Sequence, residues 1–224
     1  MAFILNDIVP WGRTMGEYRR MFELTDKDMK LKIASFGDGP ASFNYEATKK
    51  GTNVTSYDVL YQFYSSDIKN RINEVKDIVM DQMQQNIDNY VWTQIKSLDE
   101  LEKLRMSAME LFLQDYEIGK QERRYIYHSL PDEIEIDNKY YDIGLSSHFL
   151  LMYENLGYKF HIEAISEMLR ICKEIRIFPI CDLDGNSTEL TKHVINYFNK
   201  SYDVSIVKSR YQFQKGENEM LMIK

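Results

Sequence analysis

Two glycines and a downstream aspartate have the spacing of a nucleotide-binding turn. Gly37 and Gly39 follow one apolar run, and Asp58 ends the next apolar run, 19 residues after Gly39. The glycines allow a sharp bend and a close approach of ligand to backbone, because no Cβ obstructs them. A carboxylate at the end of the second strand can accept hydrogen bonds from both ribose hydroxyls. A Gly-x-Gly turn alone is a weak signal, but together with Asp58 it predicts a nucleotide-binding βαβ unit.

The charge of this turn favours one class of nucleotide. Asp38 lies between the two glycines, where a dinucleotide would place its diphosphate against a helix N-terminus. A carboxylate would repel that diphosphate, whereas it suits the ammonium and sulfonium groups of S-adenosylmethionine (SAM). Ser42 also stands where the dinucleotide pattern has its third Gly or Ala. The turn therefore favours SAM over NAD.

Several segments resemble motifs of the class I SAM-dependent methyltransferase family. Residues 33–43 resemble its glycine-rich first motif, and Asp58 stands where the family keeps its ribose-binding acid. Residues 128–131 are similar to the segment that borders the adenine, without the acidic residue usual there. Residues 141–148 are similar to the fourth-strand motif. The whole chain further resembles a group of bacterial methyltransferase-like proteins of undefined substrate.

The resemblance covers residues 31–60 and 123–224 and implies a seven-stranded sheet with SAM at the carboxyl ends of its strands. It also implies in-line transfer of the sulfonium methyl group to a small or medium-sized acceptor. The implied cofactor-binding residues, from methionine through ribose to adenine, are Gly37, Asp38, Gly39, Asp58, Ser129 and Leu130, with Ser146 closing the methionine side.

Two histidines are candidates for the base that an acidic nucleophile needs. His148 follows the fourth strand and is the first choice, because neutral imidazole can accept a proton near pH 7. His128, at the end of the third strand, is the second choice. For His148 the alternative is a structural histidine that packs beside the cofactor or orders the next loop, and for His128 it is a strand histidine whose hydrogen bonds are satisfied within the protein.

The elements that must position these residues alternate between strand-like and helical segments. Strand-like runs lie at 32–36, 53–57, 125–128, 141–145 and 175–178. Residues 204–214 and 218–223 are also strand-like, and the short turn between them leaves no room for a crossover helix. We therefore expect an α/β fold: a Rossmann-like sheet, mostly parallel with an antiparallel C-terminal hairpin.

A helical insertion separates the second and third strands. Residues 62–120 exceed a usual crossover, and their apolar side chains recur at helical spacing over 68–91 and again over 98–112. Ser97 and Glu100 have the capping-box spacing at the start of the second helix. The apolar stripes indicate core packing, and the insertion as a whole is a candidate lid or substrate platform.

Two further helical segments complete the expected single domain, residues 1–224. Residues 1–30 form an N-terminal helical segment with a helix at 16–22. The helix before the fifth strand has an apolar stripe of Ile162, Ile165, Leu169 and Cys172.

Composition excludes several classes of protein. The chain has 224 residues, 28 basic and 35 acidic, so its net charge of −7 makes nucleic acid a less favoured partner than a small molecule. Two cysteines and four histidines show no metal-ligand spacing. No apolar run approaches the length of a membrane span and no leader pattern opens the chain, so we expect a cytoplasmic protein without a metal or membrane partner.

Two other functions stay open at this point. One is a non-catalytic SAM-binding sensor that forms complexes through its helical insertion. The other, less favoured, is an NAD-dependent oxidoreductase, which Asp38 and the absence of a second substantial domain disfavour.

Overall fold

The computed structural model describes residues 9–224, which form a seven-stranded sheet with apolar cores on both faces. The strands are β1 (Lys32–Phe36), β2 (Asn53–Asp58), β3 (Tyr125–Tyr127), β4 (Tyr141–Ser147), β5 (Cys172–Phe178), β6 (Val204–Lys208) and β7 (Glu219–Ile223). Their order is β3-β2-β1-β4-β5-β7-β6. β7 is antiparallel to both neighbours, and the other neighbouring pairs are parallel. The predicted fold class is confirmed.

Six α-helices flank the sheet within the described residues. They are α1 (Met15–Met21), α2 (Phe43–Lys49), α3 (Ser65–Gln85), α4 (Leu98–Gln121), α5 (Gly157–Ile171) and α6 (Glu189–Phe198). A reciprocal capping box of Thr14 and Glu17 begins α1. Ser97 caps α4, as its spacing predicts, by accepting the Glu100 backbone N–H at 3.1 Å. Short 3₁₀ helices lie at Asp28–Lys30, Val59–Gln62, Ile87–Asn89 and Glu154–Leu156.

Alternation along the strands divides the apolar side chains between two cores. In β1, Ile33 packs in one core while Ala34 and Phe36 pack in the other. The first core also holds side chains of α1 to α4, and the second holds side chains of α5 and α6. Helices therefore cover both faces, as expected where parallel strands are buried on each side.

The order of the strands reverses between β1 and β4. From β1 the chain proceeds outward through β2 and β3, and from β4 it proceeds the other way through β5. Such a point leaves a crevice at the carboxyl ends of the strands, because the connections leave in opposite directions. The Gly37–Gly39 turn follows β1 at this edge, Asp58 ends β2, and Ser147 ends β4.

The helical insertion packs into the apolar core of the domain. α3 and α4 pack together, and Ile68 and Ile72 of α3 share a cluster with Phe112 of α4. Val79 of α3 belongs to the core on the sheet. The predicted apolar stripe is too long, however, because α3 ends at Gln85 and its last two members lie beyond the helix.

The N-terminal segment is described from residue 9 onward, and residues 1–8 lie outside the described part of the chain. Its helix α1 begins at Met15, one residue before the predicted start.

The predicted C-terminal hairpin has the right topology but the wrong length. β6 ends at Lys208, and residues 209–218 form a loop, here called the hairpin loop. Tyr211 and Phe213 suggest strand alternation in sequence, yet they pack into the core beneath α1 and α3 instead of continuing the ladder. Burying these two aromatic side chains thus stabilises the fold more than two further residue pairs between β6 and β7 would.

Cys172 opens a strand and does not belong to the preceding helix. α5 ends at Ile171, and Cys172 is the first residue of β5, paired with Tyr141 of β4. Its sulfur packs over Gly144, where an added Cβ would lie 2.7 Å from Sγ.

Candidate active site

A cavity of about 560 Å³ lies at the carboxyl edge of the sheet, at the point where the strand order reverses. Among its lining residues are eight that sequence analysis singled out: Gly37, Asp38, Gly39, Asp58, His128, Ser129, Leu130 and His148. These residues come from the ends of β1, β2, β3 and β4, so the sheet gathers them at one edge. The volume is within the roughly 300–1,000 Å³ range of small-molecule sites.

The glycine turn needs its glycines for two different reasons. Gly37 and Gly39 have φ of +64° and +56°, a region that residues with a Cβ rarely adopt. A Cβ on Gly37 would lie 2.6 Å from the Phe149 ring. A Cβ on Gly39 would meet nothing within 4 Å. The absence of a side chain at Gly37 therefore lets the Phe149 ring pack against the turn, and its absence at Gly39 leaves open space for a ligand.

Asp38 holds the turn to the sheet and is only 6% exposed. Its carboxylate accepts hydrogen bonds from the hydroxyls of Tyr18, Ser35 (2.5 Å) and Ser56 (2.6 Å). Burial raises the pKa of Asp38, and these three donors partly offset that effect. From the sequence, Asp38 is expected to present its charge to the ligand. In the structure its charge lies beside the cavity, but its oxygens serve protein hydroxyls.

Asp58 joins the turn to the end of β2. One carboxylate oxygen accepts the Gly39 backbone N–H at 2.8 Å, and the other accepts the Leu60 N–H at 2.7 Å. Burial, reinforced by the charge of Asp38, raises the pKa of Asp58 to about 6. Each carboxylate oxygen can accept more than one hydrogen bond, so both oxygens remain able to accept hydrogen bonds from the hydroxyls of a ligand. The structure thus fixes Asp58 at the expected position.

The segment after β3 forms the wall next to Asp58. Ser129 and Leu130 are half-buried lining residues, as is His128. The His128 Nε2 atom is 2.9 Å from the Asp132 carbonyl, and its ring lies edge-on to Tyr57. His128 therefore makes two contacts that order this wall, and a role for it as a base stays a prediction.

Ser147, and not Ser146, reaches the cavity from β4. β4 continues two residues beyond its predicted end, through Ser147. Because successive side chains along a strand point to opposite faces, Ser146 and Ser147 face different sides of the sheet. Ser146 is fully buried, is not among the lining residues, and has a hydroxyl without a hydrogen-bond partner. The structure therefore places Ser147 in the wall of the cavity and leaves Ser146 outside it.

His148 is held on both ring nitrogens. Its Nε2 contacts a Glu217 carboxylate oxygen, and its Nδ1 is 2.8 Å from the Ser147 hydroxyl. Burial and the nearby Arg13 cation lower the pKa of His148 to about 4, so the imidazole is neutral at pH 7. The pKa of Glu217 is lowered despite its burial, because of His148 and Arg13. Ionised Glu217 can only accept, so Nε2 carries the proton and Nδ1 accepts from Ser147.

Sequence analysis missed one whole side of the cavity. That side comprises Trp11 and Arg13 before α1, Val79 and Met83 of α3, Tyr90, and Phe213, Gln214 and Glu217 of the hairpin loop. The available signal for this side was one acidic residue and several aromatic residues within a segment that the sequence predicts to be a plain hairpin. Nothing in their spacing connects them with the glycine turn.

A buried ion pair links elements that form this second side of the cavity. Arg105 of α4 donates to both Glu17 oxygens, at 2.7 and 2.8 Å, and the Tyr211 hydroxyl donates to Glu17 at 3.1 Å. Burial favours the neutral form of Glu17, but the Arg105 cation lowers its pKa to about 2. The network ties α1, α4 and the hairpin loop together.

Comparison with known proteins identifies the family. The chain is 36% identical over 222 residues to the uncharacterized protein MJ0045 of Methanocaldococcus jannaschii, which covers 98% of this chain and 97% of that protein. The chain belongs to the MJ0045 family. No family model matches the chain. MJ0045 is archaeal and uncharacterized, so the expected likeness to bacterial methyltransferase-like proteins stays a prediction.

Solved structures similar to this MJ0045 family member are distant. A putative SAM-dependent methyltransferase from Methanococcus maripaludis matches with 13% identity and a TM-score of 0.41 over 94% of this chain and 82% of its own. A SAM-dependent methyltransferase from Aquifex aeolicus matches with 12% identity and a TM-score of 0.41, over 92% and 90%. The methyltransferase domain of bacterial CtHen1-CN gives 11% and 0.47, over 94% and 96%. Such similarities do not assign a function, and the fold assignment rests on the observed strand order.

Residues 9–224, the part of the chain that the structure describes, also bear on metal and membrane sites. They contain no group of three or more His, Cys, Asp or Glu side chains arranged to bind a metal ion. No helix among them is long and apolar enough to cross a bilayer.

Proposed function

We propose that this member of the MJ0045 family is a SAM-dependent methyltransferase acting on a small or medium-sized acceptor. The observation that carries the proposal is the joining of the glycine turn, Asp58 and the Ser129–Leu130 wall in one cavity where the strand order reverses. SAM, when bound, supplies an electrophilic methyl group on a positively charged sulfur. The residues present suit this cofactor, because Gly39 faces open space and the Asp58 carboxylate can accept ribose hydroxyl protons.

The cofactor half of the cavity recognises an adenosyl group by shape and charge. Asp58 is held rigid by two backbone donors, so little freedom is lost when it accepts hydroxyl protons. Leu130 and Ser129 give the base a partly apolar wall. Asp38 and Asp58 make the potential of this half negative, which favours a cationic ligand over a phosphate chain.

The acceptor half is apolar. Its walls are Trp11, Val79, Met83, Tyr90 and Phe213. The Tyr90 and Phe213 rings stack with centroids 5.0 Å apart and an interplanar angle of 20°. α3 and the hairpin loop enclose this space from two sides, so an acceptor bound here is shielded from water. This arrangement favours a compact acceptor with an apolar or flat body.

Ser147, His148 and Glu217 supply a route for a proton. Both His148 nitrogens are engaged, so an acceptor cannot reach the imidazole directly. The Ser147 hydroxyl instead receives the acceptor's proton while passing its own to Nδ1 of His148. Ionised Glu217 stabilises the imidazolium that results, since it already binds Nε2–H. In this role His148 is a base that acts through Ser147.

Calorimetric titration with SAM and S-adenosylhomocysteine tests the proposal. Binding of both compounds to the full chain is expected, and absence of heat at millimolar ligand would exclude the cofactor. Transfer of radiolabelled methyl from SAM into cell extract, sorted into RNA, DNA, protein and small molecules, then tests catalysis. We expect the label in the small-molecule fraction. Tight binding with no label in any fraction would instead support the sensor function.

A further inference from the structure

Arg13 enters the cavity beside the glycine turn. Its backbone carbonyl accepts the Ser42 N–H at 3.0 Å, next to the start of α2. The preceding Gly12 lies so close to Pro40 that an added Cβ would collide with the Pro40 carbonyl. These two contacts fix the backbone of Arg13 against the turn, and its half-buried side chain lines the cavity.

The Arg13 guanidinium has no ionic partner among residues 9–224. Its single hydrogen bond there runs from Nη1 to the Trp11 carbonyl, at a long 3.4 Å. Its Nε atom is buried and has no hydrogen-bond partner. A guanidinium has five N–H donors, and a donor left unpaired away from water, as on Arg13 Nε, is costly. Arg105, by contrast, donates twice to Glu17.

The nearby carboxylates are already committed to other groups. Glu17 binds Arg105, Glu217 binds His148, and Asp38 binds three hydroxyls. Arg13 is close enough to act on the first two, because its cation contributes to the lowered pKa of both Glu17 and Glu217. Yet neither lies within ion-pair distance of it. A positive charge therefore remains in the cavity without an anion of its own.

The shape and charge of the surroundings select a carboxylate over a phosphate. A guanidinium matches a planar carboxylate with two parallel hydrogen bonds. Asp38 and Asp58 line the same cavity and would repel a doubly charged phosphate. A single negative charge would pair with Arg13 at less electrostatic cost.

We propose that Arg13 is the carboxylate-binding residue of this cavity. The inference rests on the proposed function, because a methyltransferase cavity has two sources for such a group. One is the amino-acid end of SAM, and the other is a carboxylate on the acceptor. The adjacent glycine turn favours the amino-acid end of SAM, since both Gly12 and Arg13 contact that turn or the helix after it.

Calorimetry on the full chain with two adenosyl thioethers separates the sources. S-adenosylhomocysteine carries the amino-acid carboxylate, and 5′-methylthioadenosine lacks it. If the cofactor is the source, Arg13→Gln should weaken S-adenosylhomocysteine binding roughly 10- to 100-fold, the scale of hydrogen bonds to a charged group. Binding of 5′-methylthioadenosine should stay within about twofold. Arg13→Lys, which keeps the charge but not the fork, should recover part of the affinity.

Arg20→Gln is the matched control, because Arg20 also has a buried unpaired Nε but does not line the cavity. It should leave both affinities unchanged. If Arg13→Gln also leaves both unchanged, the protein saturated with S-adenosylhomocysteine is titrated with benzoate and with benzyl alcohol. Benzoate binding that Arg13→Gln abolishes supports an acceptor carboxylate.

Loss of both adenosyl affinities to the same extent in Arg13→Gln overturns the inference, as does indifference of every probe to the substitution. If the wild-type chain binds neither adenosyl compound, the methyltransferase proposal fails, and titration of the free wild-type and Arg13→Gln proteins with benzoate and benzyl alcohol then decides for Arg13. Thermal melting of each variant shows whether a loss of binding reflects unfolding.

Discussion

The two halves of the cavity are built in different ways. The cofactor half uses the ends of neighbouring strands, with Gly39 and Asp58 only 19 residues apart and joined by a 2.8 Å hydrogen bond. The acceptor half combines Trp11, helix α3 and the hairpin loop, which are far apart along the chain. A site formed within one βαβ unit is visible in sequence, whereas a site formed by distant segments depends on packing. Substitutions that separate the halves test this comparison.

The largest expected effect comes from the buried support of the acceptor half. Arg105→Ala leaves the Glu17 carboxylate buried without its cation and should destabilise the protein by about 3–5 kcal/mol. Urea denaturation measures the loss. The double variant Glu17→Gln/Arg105→Met removes both charges and should recover much of the stability. Equal losses in the single and double variants would contradict the ion-pair interpretation.

Gly37 and Gly39 should respond differently although they share one turn. Alanine at either position meets a positive φ, which costs about 1–2 kcal/mol. Gly37→Ala also collides with Phe149, and such overpacking adds about 1–3 kcal/mol. Gly39→Ala should mainly weaken SAM binding, because its Cβ enters open space. Denaturation and calorimetry on both variants check this, and a larger stability loss in Gly39→Ala would contradict it.

His148 separates chemistry from cofactor binding. His148→Gln should slow the methyl-transfer step about a hundredfold while S-adenosylhomocysteine affinity stays near wild type. Because the pKa of His148 is about 4, its protonation should add no step to the rate between pH 6 and pH 8. Single-turnover rates with the acceptor fraction from cell extract provide the measurement. An unchanged rate would assign the pair with Glu217 a structural role.

Asp58 links cofactor affinity to pH. Asp58→Ala should weaken S-adenosylhomocysteine binding by about 1.5–3 kcal/mol. The raised pKa, about 6, means that the carboxyl gains a proton as the pH falls through 6 and loses acceptor capacity. Wild-type affinity should therefore decline below about pH 6, and the difference from Asp58→Ala should shrink there. Calorimetry from pH 5 to pH 8 tests this, and a constant difference would exclude the ribose role.

The smallest effect is expected at Ser146. Its hydroxyl is buried without a partner, so Ser146→Ala should change stability by less than about 1 kcal/mol or stabilise slightly. Cofactor affinity should stay constant. Ser147→Ala is the matched comparison, and it should slow methyl transfer. A binding loss in Ser146→Ala alone would restore the residue to the cofactor site.

Much of the fold and half of the site could be predicted from the sequence. Strands β1 and β2 agree with their predicted positions because apolar runs there end in turn residues. The Gly37–Gly39 turn and Asp58 belong to one local unit, so spacing alone relates them. The hairpin loop was misassigned because Tyr211 and Phe213 alternate with polar residues as in a strand, and only their burial in the core shows otherwise.

The sequence by itself determined the α/β architecture and the grouping of the residues that we propose to bind the cofactor, because hydrophobic period and turn chemistry act over a few residues. Tertiary structure alone decided that Asp38 serves protein hydroxyls, that Ser147 and not Ser146 reaches the cavity, and that Glu217 orients His148. Those outcomes depend on strand register and on contacts across distant segments. Such contacts leave no periodic trace along the chain, because each partner is chosen by the packing of the whole core.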